Sequence, residues 1–291
     1  MSDALPEGLR RSLIVGPSMV TSVEWHSEIA STNARAAELA ADGAPEGQLV
    51  AADVQTAGRG RHGRPWQAPA GSSLMWSLLV RPKVPTTHLG LLPLLTGLAV
   101  AETIQPFIPS AEVTVKWPND VLITRGVAHH GHMWHSRATP PAQAGAPPSL
   151  EPARKVAGIL VEGVGDGAAV VGVGTNTDWR GIQRPEGAGQ QMISVAEAAG
   201  GPVDRWRLLA AMMGVFGNRY AVWQTAPAVF LTDYRERSAT LGQRVRIMPT
   251  DRDPVEGTAT GIAATGALEF TALDGTKHTL HAGDVQHLRP A

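Results

Sequence analysis

Apolar and polar residues recur with two different periods along the chain, which predicts both helices and strands. One set of large apolar residues is spaced three or four positions apart, as on one face of an α-helix: Trp206, Leu209, Met213, Phe216, Tyr220 and Trp223. Val113, Val115 and Trp117 instead alternate with polar residues, which is the period of a half-buried strand. We expect the helical face, within residues 205–224, to pack into the core rather than to bind a cofactor.

Shorter apolar runs predict the remaining elements of a large domain. Strands are predicted over residues 49–53, 73–80, 121–123, 156–164 and 168–173. Helices are predicted over residues 34–41, after the capping residues Ser31-Thr32-Asn33, and over residues 89–104. The second helix contains Pro93 and Glu102 and falls short of the ~18 apolar residues of a membrane span, so we expect it to be buried.

The pattern changes after residue 241 to short strands separated by turns. These strands are predicted over residues 244–248, 255–262, 268–273 and 277–281, with Asp274-Gly275 as a hairpin signal. Such a series indicates a small barrel of the SH3 or OB type. We therefore predict an N-terminal extension (1–22), a large domain (23–238) and a C-terminal domain (239–291).

One segment of the large domain, residues 126–153, has no periodicity and contains five prolines and four histidines. We interpret it as a long surface insertion. The histidines, His129, His130, His132 and His135, match no established zinc spacing. A tolerated insertion is therefore favoured over a metal site.

The composition excludes several classes of function. Apolar residues make up 43% of the 291 residues and charged residues 18%, which is typical of a globular chain rather than a disordered one. A formal net charge of -1 argues against bulk nucleic-acid binding, and the absence of cysteine excludes disulfides, Cys-zinc sites and thiol nucleophiles. Because no signal peptide is visible, we expect a cytoplasmic protein that binds neither DNA nor membranes.

Arginines alternate with glycines in the segment Gly58-Arg59-Gly60-Arg61-His62-Gly63-Arg64, and Trp66 follows closely. Glycine lets backbone N–H groups approach an anion, and arginine adds permanently charged donors. The spacing fits neither a P-loop nor a Rossmann fingerprint. Since the segment lies between predicted strands in a nearly neutral chain, an ordered anion site is favoured over an RNA-binding Arg-Gly segment.

Three further motifs contribute cations, amides and a carboxylate. Lys116-Trp117-Pro118-Asn119-Asp120 interrupts a strand, and its last two residues could ligate Mg²⁺ or form an ordinary turn. Lys155 enters an apolar strand and needs an anionic partner there. Gly172-Val173-Gly174-Thr175-Asn176 is a Gly-rich strand that ends in a lone amide. Because no Ser-His-Asp nucleophile is indicated, this set suits a reaction between two anions, such as a carboxylate and a nucleotide phosphate.

These motifs, in this order, resemble those of the biotin protein ligase family, and the similarity covers residues 23–288. The segments that carry it are Ser31-Thr32-Asn33, Gln55 to Trp66, Lys116 to Asp120, Arg154 to Glu162, and Gly172-x-Gly174-x-Asn176. The resemblance implies an α+β fold with a mixed sheet and flanking helices, as in class II aminoacyl-tRNA synthetases, followed by an SH3-like C-terminal barrel. It also implies a biotin–[biotin carboxyl-carrier protein] ligase. Such an enzyme converts biotin and ATP, with Mg²⁺, to biotinyl-5′-AMP and then acylates a lysine in the biotin carboxyl carrier domain of an acyl-CoA carboxylase.

The resemblance further implies roles for individual residues. Biotin would be bound by Ser31, Thr32, Asn33, Gln55, Gly58, Arg59, Gly60, Arg61, Lys155 and Gly158. ATP would be bound by Arg59, Arg61, Lys116, Asn119 and Asn176. Arg61 and Lys155 would be catalytic, and Asp120 is a candidate to assist the incoming lysine amine. No metal bound by the protein itself is expected, and the chain would be a monomer or a homodimer.

The chain also departs from the family pattern. Thr56 and His62 stand where relatives often have other residues, and 34 residues (121–154) replace a short turn between Asp120 and Lys155. The winged-helix domain that some relatives carry at the N-terminus is not seen, so a repressor function is not expected. Two alternatives stay open: a lipoate or octanoate protein ligase of the same fold, and a non-catalytic RNA-binding protein.

Overall fold

The structure is a computed structural model that describes residues 5–16, 18–125, 152–184, 191–248, 253–281 and 283–288. The predicted insertion lies outside the described residues, apart from Pro152 and Ala153, and so does its histidine cluster.

Six α-helices and two β-sheets are formed by the described residues, which confirms the predicted α+β class. The helices are α1 (Glu7–Val15), α2 (Thr32–Ala41), α3 (Leu92–Ile104), α4 (Val195–Ala199), α5 (Arg205–Thr225) and α6 (Leu231–Glu236). The large sheet contains β1 (Ser22–Ile29), β2 (Gln48–Gln55), β3 (Ser73–Val80), β4 (Ala111–Lys116), β5 (Asp120–Arg125), β6 (Arg154–Gly163) and β7 (Ala169–Asn176).

The large sheet has the strand order β1-β2-β3-β7-β6-β5-β4. β1 and β2 are parallel and are joined by α2, whereas the other neighbouring strands are antiparallel. Ile29 pairs with Gln55 at the ends of the two parallel strands. Because the carboxyl ends of parallel strands lie at the same edge of a sheet, the segments that follow Ile29 and Gln55 come together.

Helices cover the two faces of the large sheet unequally. Val50, Leu79 and Val170 pack against α2 on one face, and the alternate residues of the same strands pack with α3 and α5 on the other. Of the residues of α3, all but Pro93 and Glu102 are buried. Among the described residues, α2 is the helix that contacts the first face, and it does so at β2, β3 and β7, so no described helix lies over β6 on that face.

One helical stretch of the described residues, Thr86–Phe107, is by length and composition apolar enough to cross a membrane. In the fold, however, 67% of its most apolar 18-residue segment is buried. It consists of α3 with a 3₁₀ turn at each end. This burial supports the prediction of a core helix. The predicted start at Leu89 falls within the first 3₁₀ turn, since Pro93 lies at the start of the α-helix, where proline is best tolerated.

The C-terminal sheet is antiparallel, with the order β11-β10-β9-β8-β12. Its strands are β8 (Arg244–Met248), β9 (Val255–Ile262), β10 (Leu268–Ala272), β11 (Lys277–Leu280) and β12 (Asp284–His287). It contacts the β4–β5 hairpin through Trp117, whose indole Nε1 donates to the Gly266 carbonyl at 3.0 Å. The Trp117 backbone N–H donates to Thr240 Oγ1 at 3.1 Å. The predicted domain boundary at residue 239 falls between α6 and β8.

Five elements were not predicted: α1, β1, α4, α6 and β12. β1 is an edge strand of which only Val23 is buried, and Ser27 interrupts the alternation of its apolar residues Val23, Trp25 and Ile29 with polar ones. α4 and α6 span five and six residues, which is too short for helical periodicity to appear. The interruption predicted at Pro118 is instead a reversal of direction, because β4 and β5 form an antiparallel hairpin.

We predict that residues 126–153 can be replaced by a short Gly-Ser link without loss of the fold. β5 and β6 are antiparallel neighbours, and Ile123 pairs with Arg154, so a short turn can join them. Shortening a loop several-fold changes the entropy of closure by only about 1–2 kcal/mol. Thermal unfolding should give a midpoint equal to or slightly above that of the parent chain, and a large decrease would show that the segment contributes to the core.

Candidate active site

Buried polar side chains meet where the parallel strands end. Ser31 caps α2, and its side chain accepts from the Ala34 N–H at 3.4 Å. The Thr32 N–H donates to Gln55 Oε1 at 2.7 Å. The Ser77 hydroxyl lies 2.6 Å from Asn33 Oδ1 and 2.7 Å from Thr32 Oγ1. Four of the residues predicted to bind biotin, Ser31, Thr32, Asn33 and Gln55, are therefore clustered, and Ser77 is an additional member.

Asn33 is fixed from the sheet side as well. Its Nδ2 donates to Glu162 Oε2 at 2.7 Å and to the Leu160 carbonyl at 3.3 Å. A Cβ on Gly172 would lie 2.0 Å from Asn33 Oδ1. The first glycine of the Gly172-x-Gly174 motif is therefore required because Asn33 occupies the space of a side chain.

The Gly-Arg segment forms a closed loop rather than an open chain. The Trp66 N–H donates to the Gly58 carbonyl at 2.9 Å, and the Gly60 N–H donates to the Arg64 carbonyl at 2.7 Å. The chain reverses at His62 and Gly63, whose φ values are 55° and 69°. We call residues 58–66 the arginine loop.

The arginines of this loop reach two different parts of the molecule. Arg59 lies 3.3 Å from Glu162 on the large sheet. Arg61 donates to the Gly283 carbonyl at 3.2 Å, and Arg64 is ion-paired with Asp284. The arginine loop therefore bridges the sheet and the C-terminal domain.

Trp66 lies against two glycines on the open face of the sheet. Gly158 and Gly174 are paired across β6 and β7. A Cβ on Gly158 would lie 3.1 Å from the indole ring, and a Cβ on Gly174 would lie 2.4 Å from it. Lys155 Nζ is 5.5 Å from the ring centroid. The indole Nε1 is buried and has no hydrogen-bond partner among the described residues.

A β-bulge brings Lys155 to the same face. The pairing of β5 with β6 shifts between Val121 and Leu122, so Val156 and Ala157 both point into the core. Regular alternation would place Lys155 and Gly158 on opposite faces of the sheet, but the bulge places them on the same face. Lys155 Nζ is 2.6 Å from Asp120 Oδ1. Bulges are often found beside sites because they redirect a side chain.

Four cations collect at this end of the sheet: Arg61, Arg64, Lys116 and Lys155. Burial lowers the pKa of Lys116, and the nearby Lys155 and Arg64 act in the same direction against the attraction of Asp120. Burial likewise lowers the pKa of Arg61. His287 is neutral near pH 7, because burial and the charge of Lys116 lower its pKa to about 4. The site favours a bound anion, since additional negative charge would relieve this repulsion.

The two predicted nucleotide-binding amides are held by the backbone. Asn119 Nδ2 donates to the Ile159 carbonyl at 2.8 Å. Asn176 is 1% exposed, and its Nδ2 lies 3.3 Å from the carbonyls of both Lys155 and Ile193. Both amides thus fix strand β6, and their direct contact with ATP stays a prediction. The Asp120 carboxylate, the charged oxygen ligand that this pair could offer to Mg²⁺, is instead paired with Lys155.

A cavity of about 490 Å³ opens beside Gln55 and is lined mainly by Gln67, Pro69, Trp179 and Gln183. Together with the glycines under Trp66, it extends the site along the open face of the sheet. Glu162 and Asp284, which fix the arginine loop, were not predicted as site residues. Glu162 is the last residue of the Arg154 to Glu162 motif, whereas nothing in the sequence around Asp284 indicates a functional residue.

Comparison with known proteins is consistent with this geometry. Residues 26–176 match the model of the biotin/lipoate A/B protein ligase family, and residues 240–288 match that of the biotin protein ligase C terminal domain. The chain is 35% identical to the biotin--[acetyl-CoA-carboxylase] ligase of Mycobacterium tuberculosis over 97% of this chain and 94% of that protein. It is 28% identical to the bifunctional ligase/repressor BirA of Bacillus subtilis over 90% of this chain and 73% of that protein.

A solved structure shares the fold. The biotin protein ligase of Aquifex aeolicus in complex with biotin and ATP aligns with a TM-score of 0.72 and 24% identity, over 93% of this chain and all of that one. The chain belongs to the biotin/lipoate A/B protein ligase family. Within that family its C-terminal match assigns it to the biotin protein ligases, which confirms the resemblance found in the sequence.

We predict that Gly174→Ala destabilises the protein by about 1–3 kcal/mol, because the added methyl group would overlap the Trp66 ring. In a Trp66→Ala background the same change should cost much less, since the space is then free. Urea unfolding of the parent, the two single variants and the double variant measures both effects. Gly163→Ala, where no atom lies within 4 Å of the added Cβ, is the matched control. Equal losses in the two backgrounds would contradict the assigned contact.

Proposed function

We propose that this protein activates biotin with ATP and transfers it to a lysine of a biotin carboxyl carrier domain. The observation that carries the proposal is the cluster of four cations next to the polar pocket of Ser31, Thr32, Asn33 and Gln55. A reaction between a carboxylate and a triphosphate needs such a cluster, because both reactants are anionic. The relatives named as biotin ligases support the same substrates.

The polar pocket suits the ring of biotin. A ureido group has a carbonyl acceptor and two N–H donors, and the pocket offers hydroxyls and amides that can serve in either role. The alkyl chain would then run beside Trp66, whose ring lies against Gly158 and Gly174. This direction leads the carboxylate toward Lys155.

In the first step a carboxylate oxygen of biotin attacks the α-phosphorus of ATP. The new O–P bond forms the mixed anhydride, and the bond from the α-phosphorus to the pyrophosphate oxygen breaks. Lys155 would hold the two reacting anions together, and Arg61 would stabilise charge on the phosphate oxygens. Lys116 adds positive charge from the neighbouring hairpin.

In the second step the neutral amine of the acceptor lysine attacks the carbonyl carbon of the adenylate. The C–N bond forms, AMP leaves with the anhydride oxygen, and the amine loses one proton. Asp120 is the carboxylate that would assist that amine, since it lies beside Lys155 in the site. Its pairing with Lys155 would have to loosen when the substrate phosphate arrives.

Mg²⁺ would arrive with the nucleotide. Among the described residues there is no group of three acidic or histidine side chains arranged to hold an ion. No step of the mechanism is therefore assigned to a metal held by the protein.

The carrier domain belongs to an acyl-CoA carboxylase in this proposal, which rests on the name of the mycobacterial relative. Reaction in the cytoplasm follows from that partner. A monomer and a homodimer are both compatible with the site, because all the residues named come from one chain.

Lipoate or octanoate activation is the alternative within the family. The match to a biotin protein ligase C terminal domain favours biotin. ATP–pyrophosphate exchange with purified protein decides between the substrates. Exchange that depends on biotin but not on octanoate is expected, and the reverse result would exclude the proposal.

Arg61→Ala and Lys155→Ala are each expected to reduce biotin-dependent exchange by about a hundredfold, because each removes a cation that stabilises the anionic transition state. Lys277→Ala removes the same charge from an exposed position of the C-terminal sheet and should leave exchange unchanged. Circular dichroism verifies the fold of each variant. A folded Arg61 or Lys155 variant with parental activity would contradict its assigned role.

A further inference from the structure

One carboxylate of the C-terminal domain faces the basic side chains at the tip of the arginine loop. Asp284 is paired with Arg64, and its Oδ1 lies 3.9 Å from Arg61 and 3.6 Å from His62. The adjacent Gly283 carbonyl accepts a hydrogen bond from Arg61 at 3.2 Å. Asp284 itself is only 30% exposed, so its interactions are partly shielded from water.

Without the Asp284 carboxylate, the arginines at the tip of the loop would be repelled by the lysines of the site. Arg64 is repelled by both Arg61 and Lys116, and Lys116 is in turn repelled by Lys155. Within the described residues, Glu162 and Asp284 are the carboxylates in ion-pair range of this loop. Glu162 holds Arg59 at the pocket end, and Asp284 holds the opposite end.

We propose that Asp284 is a positioning residue that keeps Arg61 and the tip of the arginine loop at the nucleotide phosphates. This inference rests on the proposed function, since it takes ATP as the ligand of the cation cluster. It gives the C-terminal domain a part in ATP binding through one side chain. Asp284 acts through the loop and does not itself touch substrate.

Asp284 can affect the affinity for ATP in two opposite ways, so the direction of the change on mutation tests the proposal. A carboxylate near the triphosphate repels it directly, so its neutralisation would tighten ATP binding if repulsion dominated. If positioning dominates, neutralisation releases the loop and weakens ATP binding. The change in the KM for ATP therefore has a different direction in the two cases.

Asp284→Asn should raise the KM for ATP roughly three- to tenfold, which is the range expected for loss of one partly shielded ion-pair network. The KM for biotin should change by less than about twofold, because the Glu162 end of the loop is intact. Asp284→Glu should restore most of the ATP affinity. Glu269→Gln makes the same change of charge at an exposed position of the same domain and should have no effect. Thermal unfolding shows whether each variant is folded.

Hydrogen–deuterium exchange of residues 58–66 in the empty protein tests the positioning without any turnover. The Gly60 N–H is bonded inside the loop, and its exchange should be faster in Asp284→Asn than in the parent and Glu269→Gln chains. This readout distinguishes the inference from the proposed function, because it does not depend on biotin or ATP. A lower KM for ATP in Asp284→Asn, or unchanged exchange of the loop, would overturn the positioning role.

Discussion

Repulsion among like charges is the constraint on which this structure depends. Two cations a few ångströms apart in a partly buried site repel by several kcal/mol, so they can be assembled only where carboxylates offset them. Asp120 offsets Lys155 from within the large sheet, and Asp284 offsets Arg64 from the other domain. The arginine loop is thereby held at both ends, by Glu162 of the large sheet and by Asp284 of the C-terminal domain.

The glycines of the site provide the space in which its large side chains lie. Gly172 makes room for the Asn33 amide, whereas Gly158 and Gly174 make room for Trp66 and Lys155. Each is placed by the pairing of β6 with β7, which aligns Gly158 with Gly174. Asn33, Trp66 and Lys155 can therefore lie directly against the sheet, in positions that leave no space for a methyl group on these glycines.

Local patterns predicted much of this from the sequence alone. The strand over residues 73–80 and the helix beginning at Arg205 were predicted correctly, because burial leaves a regular period in the sequence. β1 was missed because an edge strand has few buried residues. The motifs identified the cations and glycines, since those residue types are unusual at such density. Ser77, Glu162 and Asp284 escaped notice because their partners lie 44, 103 and 220 residues away. The bulge at Val156, which determines where Lys155 points, has no signature in the sequence either.

Trp117 connects the hairpin that carries Lys116 and Asp120 to the C-terminal domain. Its ring is 2% exposed, and the Gly266 carbonyl accepts its indole N–H. Removal of the C-terminal domain would uncover this large apolar surface and leave the hairpin without its support. The two segments that family comparison treats as separate modules therefore share an interface in which Trp117 is buried. Recombination between ligases at the junction near residue 240 would have to exchange the partners of Trp117 together with the domain.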